Sequence, residues 1–498
     1  MIYRSPIFGM VCVAALIVLL FTSVLSSHQG AVIAASNAQQ ATGSAVPTCP
    51  IVKLQSLADV NADLIASHAK LGLSGLPCDS AGVVSAPSPV LSLQEGFDYF
   101  SWLTFLALNS PANGDEIGKD TQTFWETWKQ LPDVMQPNGL EPTAWDPLNN
   151  AGRPDECATL FKPGMMVIRT DLEETYNEPF KSGPLFDQSG NYALFVIFMN
   201  KAMFDYIDPR DEKDAKSKGQ KSLYSIALQR QFVGRVNFPS GDATGPGSVM
   251  VKASWKILTP IDDPSKYHTV RAILYLKGRT NPCRLERLGL IGFHVGHKTK
   301  TRQQWIWTTF EHVNNVPTEK EVEEGTASGP YNFFSVADKD RELNQTPPGP
   351  WDPDERKWDP DIPNPRAFKS QIVRTGSTPP EISAEVQTLN QAFQGVLKGS
   401  VWANYELIST QWPSDFGCSN TTPLEGLPDQ TCAPFPTYLA NSTLETFSQP
   451  LLKSGGVPLA TSSCISCHNN ATCYDNPQKP PYLPARRSDF TFILEKAQ

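Results

Sequence analysis

Val249-Met250-Val251-Lys252-Ala253-Ser254-Trp255-Lys256-Ile257 sets Val249, Val251, Ala253, Trp255 and Ile257 in alternation with Lys252, Ser254 and Lys256. A period of two is that of a β-strand with one face on a core and one toward water, so this stretch predicts a half-buried strand. Three neighbours read the same way: Thr269 to Leu276, Leu288 to Thr299 and Gln304 to Val313. Upstream, Leu185-Phe186, a turn at Asp187-Gln188-Ser189-Gly190, and Tyr192 to Met199 read as a hairpin. Connections this short favour antiparallel pairing in one sheet or a sandwich.

Outside this β region the pattern is helical or irregular. A short helix is expected around Leu57 to Leu71. Phe97 to Leu108 is apolar on nearly every side, as a buried helix would be. Phe124, Trp125 and Trp128 suggest a second aromatic helix, and Glu212 to Gln229 a charged surface helix. Residues 316–378 are rich in proline and charge, with Trp351-Asp352-Pro353-Asp354 echoed at Trp358-Asp359-Pro360-Asp361. These read as surface turns rather than a calcium loop. Pro379 opens a helix with Ile382, Val386, Leu389, Phe393 and Val396 on one face, Val401 to Ile408 reads as a strand, and Ser442-Thr443-Leu444-Glu445 is a capping box.

The expected class is therefore α+β: a central antiparallel sheet or sandwich with flanking helices and many proline-rich loops. The regions run 1–38 (leader), 39–180 (helical and loop-rich), 181–317 (antiparallel β), 318–436 (loops, helix, strand) and 437–498 (a short C-terminal segment packed on what precedes it).

That last segment carries the chemistry. Cys464-Ile465-Ser466-Cys467-His468 has the C-x-x-C-H spacing with which two thiols add to the vinyl groups of one haem while the histidine ligates its iron. A zinc site needs a second Cys/His pair at short spacing, and none is near. A redox dithiol should follow a strand in a βαβ pattern, and none is visible. Cys464, Cys467 and His468 are thus the candidate sites for one covalent haem c. Only residues 469–498 follow, too few and too proline-rich to wrap the ring, so earlier sequence must supply most of its wall. Leu451 to Leu459, Phe490 and Phe492 are candidates for the rest.

The N-terminus fits this chemistry. Arg4, an apolar run from Phe8 to Leu25 and small or polar residues through Gln40 read as a secretory signal, with cleavage after Ser26, Ser36 or Ala38. An uncleaved membrane anchor is the alternative. Either places the protein in the periplasm or otherwise outside the cytoplasm, where disulfides form. The chain has 498 residues, ten of them cysteine; Cys49–Cys78 and Cys418–Cys432 close short loops and are plausible bridges. Cys157, Cys283 and Cys473 have no assignable partner. A net charge of −9 without a basic block argues against nucleic acid as a partner.

No His or Met follows Asn469, so a sixth iron ligand must come from upstream unless the site is five-coordinate or uses Lys479 or Lys496. His297 is the first candidate and His294 the second; alternation sends them to opposite faces of their strand. Met199 and Met250 read as core, His312 as a core-edge residue and Glu311 as a paired carboxylate.

Ile291 to Pro317, with His297-Lys298-Thr299 and Trp305-Ile306-Trp307-Thr308-Thr309-Phe310-Glu311, together with Ser463 to His468 and the ending Ser488-Asp489-Phe490-Thr491-Phe492, resembles an uncharacterised family of exported bacterial c-type cytochrome proteins. The resemblance implies haem at Cys464 and Cys467, ligation by His468 and a location outside the cytoplasm. It implies no reaction. The function expected first is electron transfer with a periplasmic redox partner. The alternatives are a haem-dependent oxidoreductase acting on a small substrate held by the β region, and an envelope binding or sensor protein.

Overall fold

The alternating stretch forms a strand over Val249–Ile257, as its period predicts. In a computed structural model the described residues lie within 57–498, the longest internal stretches left out being 80–92, 169–184, 211–221, 359–368, 420–431, 444–462 and 475–487. The N-terminal leader, Cys49, most of Glu212 to Gln229, Leu451 to Leu459, Lys479 and the body of the capping box at Ser442 fall outside the described residues. So do residues 359–368, which hold all of the second Asp-Pro repeat except Trp358.

Six strands matter here: β1 (Leu194–Met199), β2 (Val249–Ile257), β3 (Thr269–Tyr275), β4 (Cys283–Thr299), β5 (Arg302–His312) and β6 (Tyr405–Pro413). They belong to one 11-stranded sheet in which β1, β2, β4, β5 and β6 are neighbours in that order. β3 pairs with the first half of β4 and β5 with its second half, all antiparallel. Two short pairings are parallel: Met166–Ile168 on β3, and Gly241 on Thr299. The class is α+β, with a sheet rather than a sandwich.

β2 departs from the half-buried reading. Ser254 and Lys256 are buried along with the apolar positions, because both faces of the sheet are covered. Lys256 is accommodated by Asp262 at 2.6 Å and Asn332 at 3.0 Å. On one face lie α2 (Leu93–Leu108) and α3 (Ala384–Val396), with α1 (Ala62–Leu71) against α2. Trp102 of α2 stacks on Phe393 of α3 at 4.6 Å and meets Phe310 of β5 edge-on at 4.9 Å. Its Nε1 donates to Asn390, so the ring is buried without an orphaned donor.

Two helix expectations are corrected. Leu57 to Leu71 splits into a turn, Leu57–Asp59, and α1, which Asn61 caps by accepting from Leu64 N. The aromatic stretch at 124–128 is only a single 3₁₀ turn, Trp125–Thr127. Glu126 pins that turn: its carboxylate accepts from Thr123 N at 2.8 Å and meets His268 Nε2 at 2.6 Å. Trp125 is directed into the core against Phe198, Trp255 and Phe293. Val401 to Ile408 likewise divides, into a turn at Val401–Asn404 and β6.

Disulfides join Cys418 to Cys432, as loop length suggested, and Cys157 to Cys283, which ties a turn to the start of β4. Cys78 is disulfide-bonded as well. Residues 49–498 form one compact unit. Among the described residues no helix is long and apolar enough to cross a membrane.

Candidate haem-attachment site on the second sheet face

Cross-strand partners share a face. Thr308 of β5 points to α2, where its hydroxyl meets Ser101 at 2.6 Å. Trp307, Thr309 and Glu311 therefore point the other way, toward the C-terminal segment. Asn441 donates to Thr309 Oγ1 at 2.7 Å, and Ser442 N donates to Glu311 Oε1 at 2.6 Å. Glu311 is a paired carboxylate, as expected: Arg374 Nη2 lies 2.8 Å from it, both side chains buried.

The C-x-x-C-H run is α4 (Cys464–His468). A helix of five residues does not hold itself together in water. Ser463 caps it by accepting from Ser466 N, and Gln411 of β6, the cross-strand partner of Trp307, anchors its first turn. Gln411 Oε1 accepts from Ile465 N at 2.9 Å and from Ser463 Oγ at 3.2 Å; Gln411 Nε2 donates to the Pro436 carbonyl at 2.7 Å. Ile465 is buried, whereas Cys464 and Cys467 are thiols of intermediate exposure. Cys473 is a buried thiol nearby.

The His468 ring packs on Trp307 at 4.1 Å and beside Phe492 at 5.2 Å. Its Nδ1–H donates to the Phe490 carbonyl at 2.9 Å. A metal-bound histidine is commonly fixed in this way, one ring nitrogen giving its proton to a carbonyl so that the other is the ligand. For His468 the ligand atom would be Nε2. Phe490 belongs to an apolar cluster with Trp305, Trp307, Ile465, Ile493 and Leu494. In this cluster Trp305 Nε1 is buried without a hydrogen-bond partner, as is Ser466 Oγ in α4. The donor set fits a covalent haem: two thiols two residues apart, an oriented imidazole, an aromatic wall, and buried donors for a group that brings acceptors. Among the described residues no three His, Cys, Asp or Glu side chains gather into a metal-ligand set; a porphyrin-bound iron asks only for axial ligands.

His297 is not brought to this site. It pairs with Ile306, on the α2 face, and its ring lies 5.5 Å from Phe100 of α2. Its Nε2–H donates to the Pro246 carbonyl at 2.7 Å, and burial lowers its pKa to about 4. Preference between the two upstream histidines is thus reversed: the sheet separates His297 from His468, while His294, opposite Thr309, shares the Trp307 face. Met250 also faces this side. A Cβ on Gly296 would lie 2.7 Å from Met250 Cε and 3.4 Å from a Trp307 ring carbon, so glycine there lets the two close over the strand. Met199 and Met250 are buried core, and His312, expected at the core edge, is fully buried between Tyr267 and Tyr405, its Nε2–H donating to the Lys266 carbonyl at 2.9 Å.

Sequence reasoning missed Gln411 and gave no role to Lys298 and Asp489, which it named only within motifs, because each acts on a partner far away in the chain. A separate cavity of about 360 Å³ is lined by Val313, Tyr331, Arg374 and Glu406 among others; none of its lining residues belongs to the C-terminal segment. No family model matches the chain, and neither does any curated protein or solved structure.

Proposed function

We propose that this is an exported protein carrying one haem c on Cys464 and Cys467, with His468 as the axial ligand, and that it transfers electrons to or from a redox partner outside the cytoplasm. The observation that carries the reading is the 2.9 Å bond from His468 Nδ1–H to the Phe490 carbonyl, which fixes the tautomer a proximal ligand needs. When bound, the haem supplies one-electron chemistry at a potential set by ligand, hydrogen bonding and burial. The chain's own part is to orient and to exclude water. Gln411 anchors the start of α4. Trp307 and Phe492 fix the plane of the imidazole. The Phe490 carbonyl accepts the hydrogen bond from its Nδ1–H. His294, which shares the face of Trp307, is the upstream histidine that would supply a second ligand to the iron.

The test is protein made with the haem-attachment machinery. Its intact mass should exceed the processed chain by one haem, a denaturing gel should keep haem stain, and Cys464→Ala with Cys467→Ala should lose it. Native protein without haem would sink the reading. For the sixth ligand, His294→Ala should turn a low-spin spectrum high-spin and His297→Ala should not. A wild type already high-spin and reactive with peroxide favours the oxidoreductase alternative instead.

A further inference from the structure

We infer that the buried Lys298–Asp489 pair is a positioning device for the proximal histidine, holding the carbonyl that orients His468. The inference rests on the haem reading above. Phe490 presents that carbonyl from a turn in which Asp489 has φ +56° and Phe490 has φ +63°. Two consecutive side-chain-bearing residues in the left-handed region form a turn that surrounding structure must impose. What imposes it is Asp489. Its Oδ2 accepts from Lys298 Nζ at 2.5 Å and from Phe238 N at 2.7 Å, and both charged side chains are fully buried. Ser488 Oγ and Thr491 Oγ1 close the turn from within.

Lys298 is itself specially placed. It lies where β4 and β5 lose register: His297 pairs with Ile306 and Thr299 with Arg302, so three residues of β5 oppose Lys298 alone. A bulge re-aims a side chain. This one puts Trp305 at φ +68° and directs Lys298 Nζ to Asn237 Oδ1 at 2.6 Å as well as to Asp489. The path is continuous: β5 bulge, Lys298, Asp489, Phe490 carbonyl, His468 Nδ1. A buried ion pair gives little net stability over an apolar pair of the same shape. Fixed geometry at a ligand is a role that such a pair does explain. A well-held carbonyl makes the imidazole a more basic ligand, which favours ferric over ferrous iron and lowers the midpoint potential.

The test compares midpoint potentials of haem-loaded full-length protein. Removing one charge mixes Coulombic and positional effects, so the deciding variant is Lys298→Met with Asp489→Asn, which leaves net charge unchanged. Asparagine also tolerates the left-handed backbone. The double variant should keep its haem stain and show a potential shifted upward, with faster solvent exchange of the His468 Nδ1 proton. If charge alone matters, the two single variants shift in opposite directions and the double returns to the wild-type potential, which overturns the inference. Should the double variant fail to fold, Asp489→Glu keeps the charge and displaces the carboxylate by one methylene; the same upward shift is expected, and an unchanged potential overturns the proposal. The wild type gives an arm that needs no variant: slow exchange of the Nδ1 proton supports the held carbonyl, and exchange as fast as an open imidazole refutes it. Wild-type protein lacking haem defeats the reading beneath; haem-bearing protein indifferent to these changes defeats the positioning role alone.

Discussion

On one face of the sheet, α2 and α3 meet β4, β5 and β6 through Trp102, Phe105, Phe293, Phe310 and Phe393, rings packed partly edge to face and partly stacked. On the other face, the C-terminal segment is fastened by Gln411, Asn441, Glu311 with Arg374, and Lys298 with Asp489, around a smaller apolar cluster. The first face derives its stability from area removed from water, a non-directional force that tolerates small displacements. The second is held by directional polar bonds that fix where each group sits. If the segment presents an iron ligand as proposed, the second kind of attachment suits it better.

The largest effect separating the faces should come from Trp102→Ala. It removes a fully buried indole together with its bond to Asn390 and is expected to cost about 4 kcal/mol, seen as a lower denaturation midpoint. If the protein carries haem as proposed, the folded variant at low temperature should keep an unaltered haem spectrum. A large spectral change would mean that the two faces are not independent.

Next is Arg374→Met, which leaves Glu311 buried without its cation, near Glu406, whose pKa burial already raises to about 7. Breaking one side of such a pair costs about 3 kcal/mol. Denaturant unfolding measures it, and Arg374→Lys should recover only part, since one point charge replaces a planar fork.

These two variants also mark what sequence could reveal. The α2 face was legible because Phe97 to Leu108 and Val249 to Ile257 carry their periods on their surface, and burial follows from period. The C-x-x-C-H run could be singled out as a candidate because its spacing is local in the chain, where the two thiols and the imidazole lie within five residues. The choice between His294 and His297 needed the register of β4 on β5: alternation put them on opposite faces but did not say which face the C-terminal segment covers. The roles of Gln411 and Asp489 were not legible because their partners lie 54 and 191 residues away. Trp125 misled because an aromatic run looks helical until Glu126 and His268 are seen to pin it as a turn.

The acid limb of stability sharpens the comparison further. His297, buried on the α2 face, has its pKa lowered from 6.5 to about 4 by desolvation. Unfolded chains take up that proton near pH 6.5 and the folded protein does not, so this group's contribution is present above the unfolded value and is lost as pH falls toward 4. The loss reaches on the order of 3 kcal/mol. His312 acts in the same direction, while Asp98 and Glu406, both raised to about 7 by burial, act in the opposite one and lose stability as pH rises. The quantity to measure is therefore the difference between wild type and His297→Gln across pH 4 to 7. It should shrink as pH falls, and a flat difference would mean that His297 protonates equally in both states.

The smallest effect is also the most local. Gln411 and Trp412 are adjacent on β6 and point to opposite faces. Trp412 stacks on Phe97 of α2 at 4.4 Å, while Gln411 holds Ile465 N and Ser463 of the C-terminal segment. Gln411→Leu keeps the bulk and removes the bonds, leaving the first turn of α4 with orphaned groups, at a cost of about 1–2 kcal/mol. Because α4 is too short to persist unaided, that cost should fall on local opening of the segment and not on global unfolding. Limited proteolysis should release the C-terminal segment faster, and amide exchange at Ile465 to His468 should accelerate, with the denaturation midpoint of the sheet little moved. Trp412→Leu should do the reverse, lowering the midpoint while exchange in α4 stays slow under native conditions. If Gln411→Leu lowers the midpoint as much as Trp412→Leu does, the segment and the sheet unfold as one cooperative unit, and the division between an apolar face that holds and a polar face that positions is wrong.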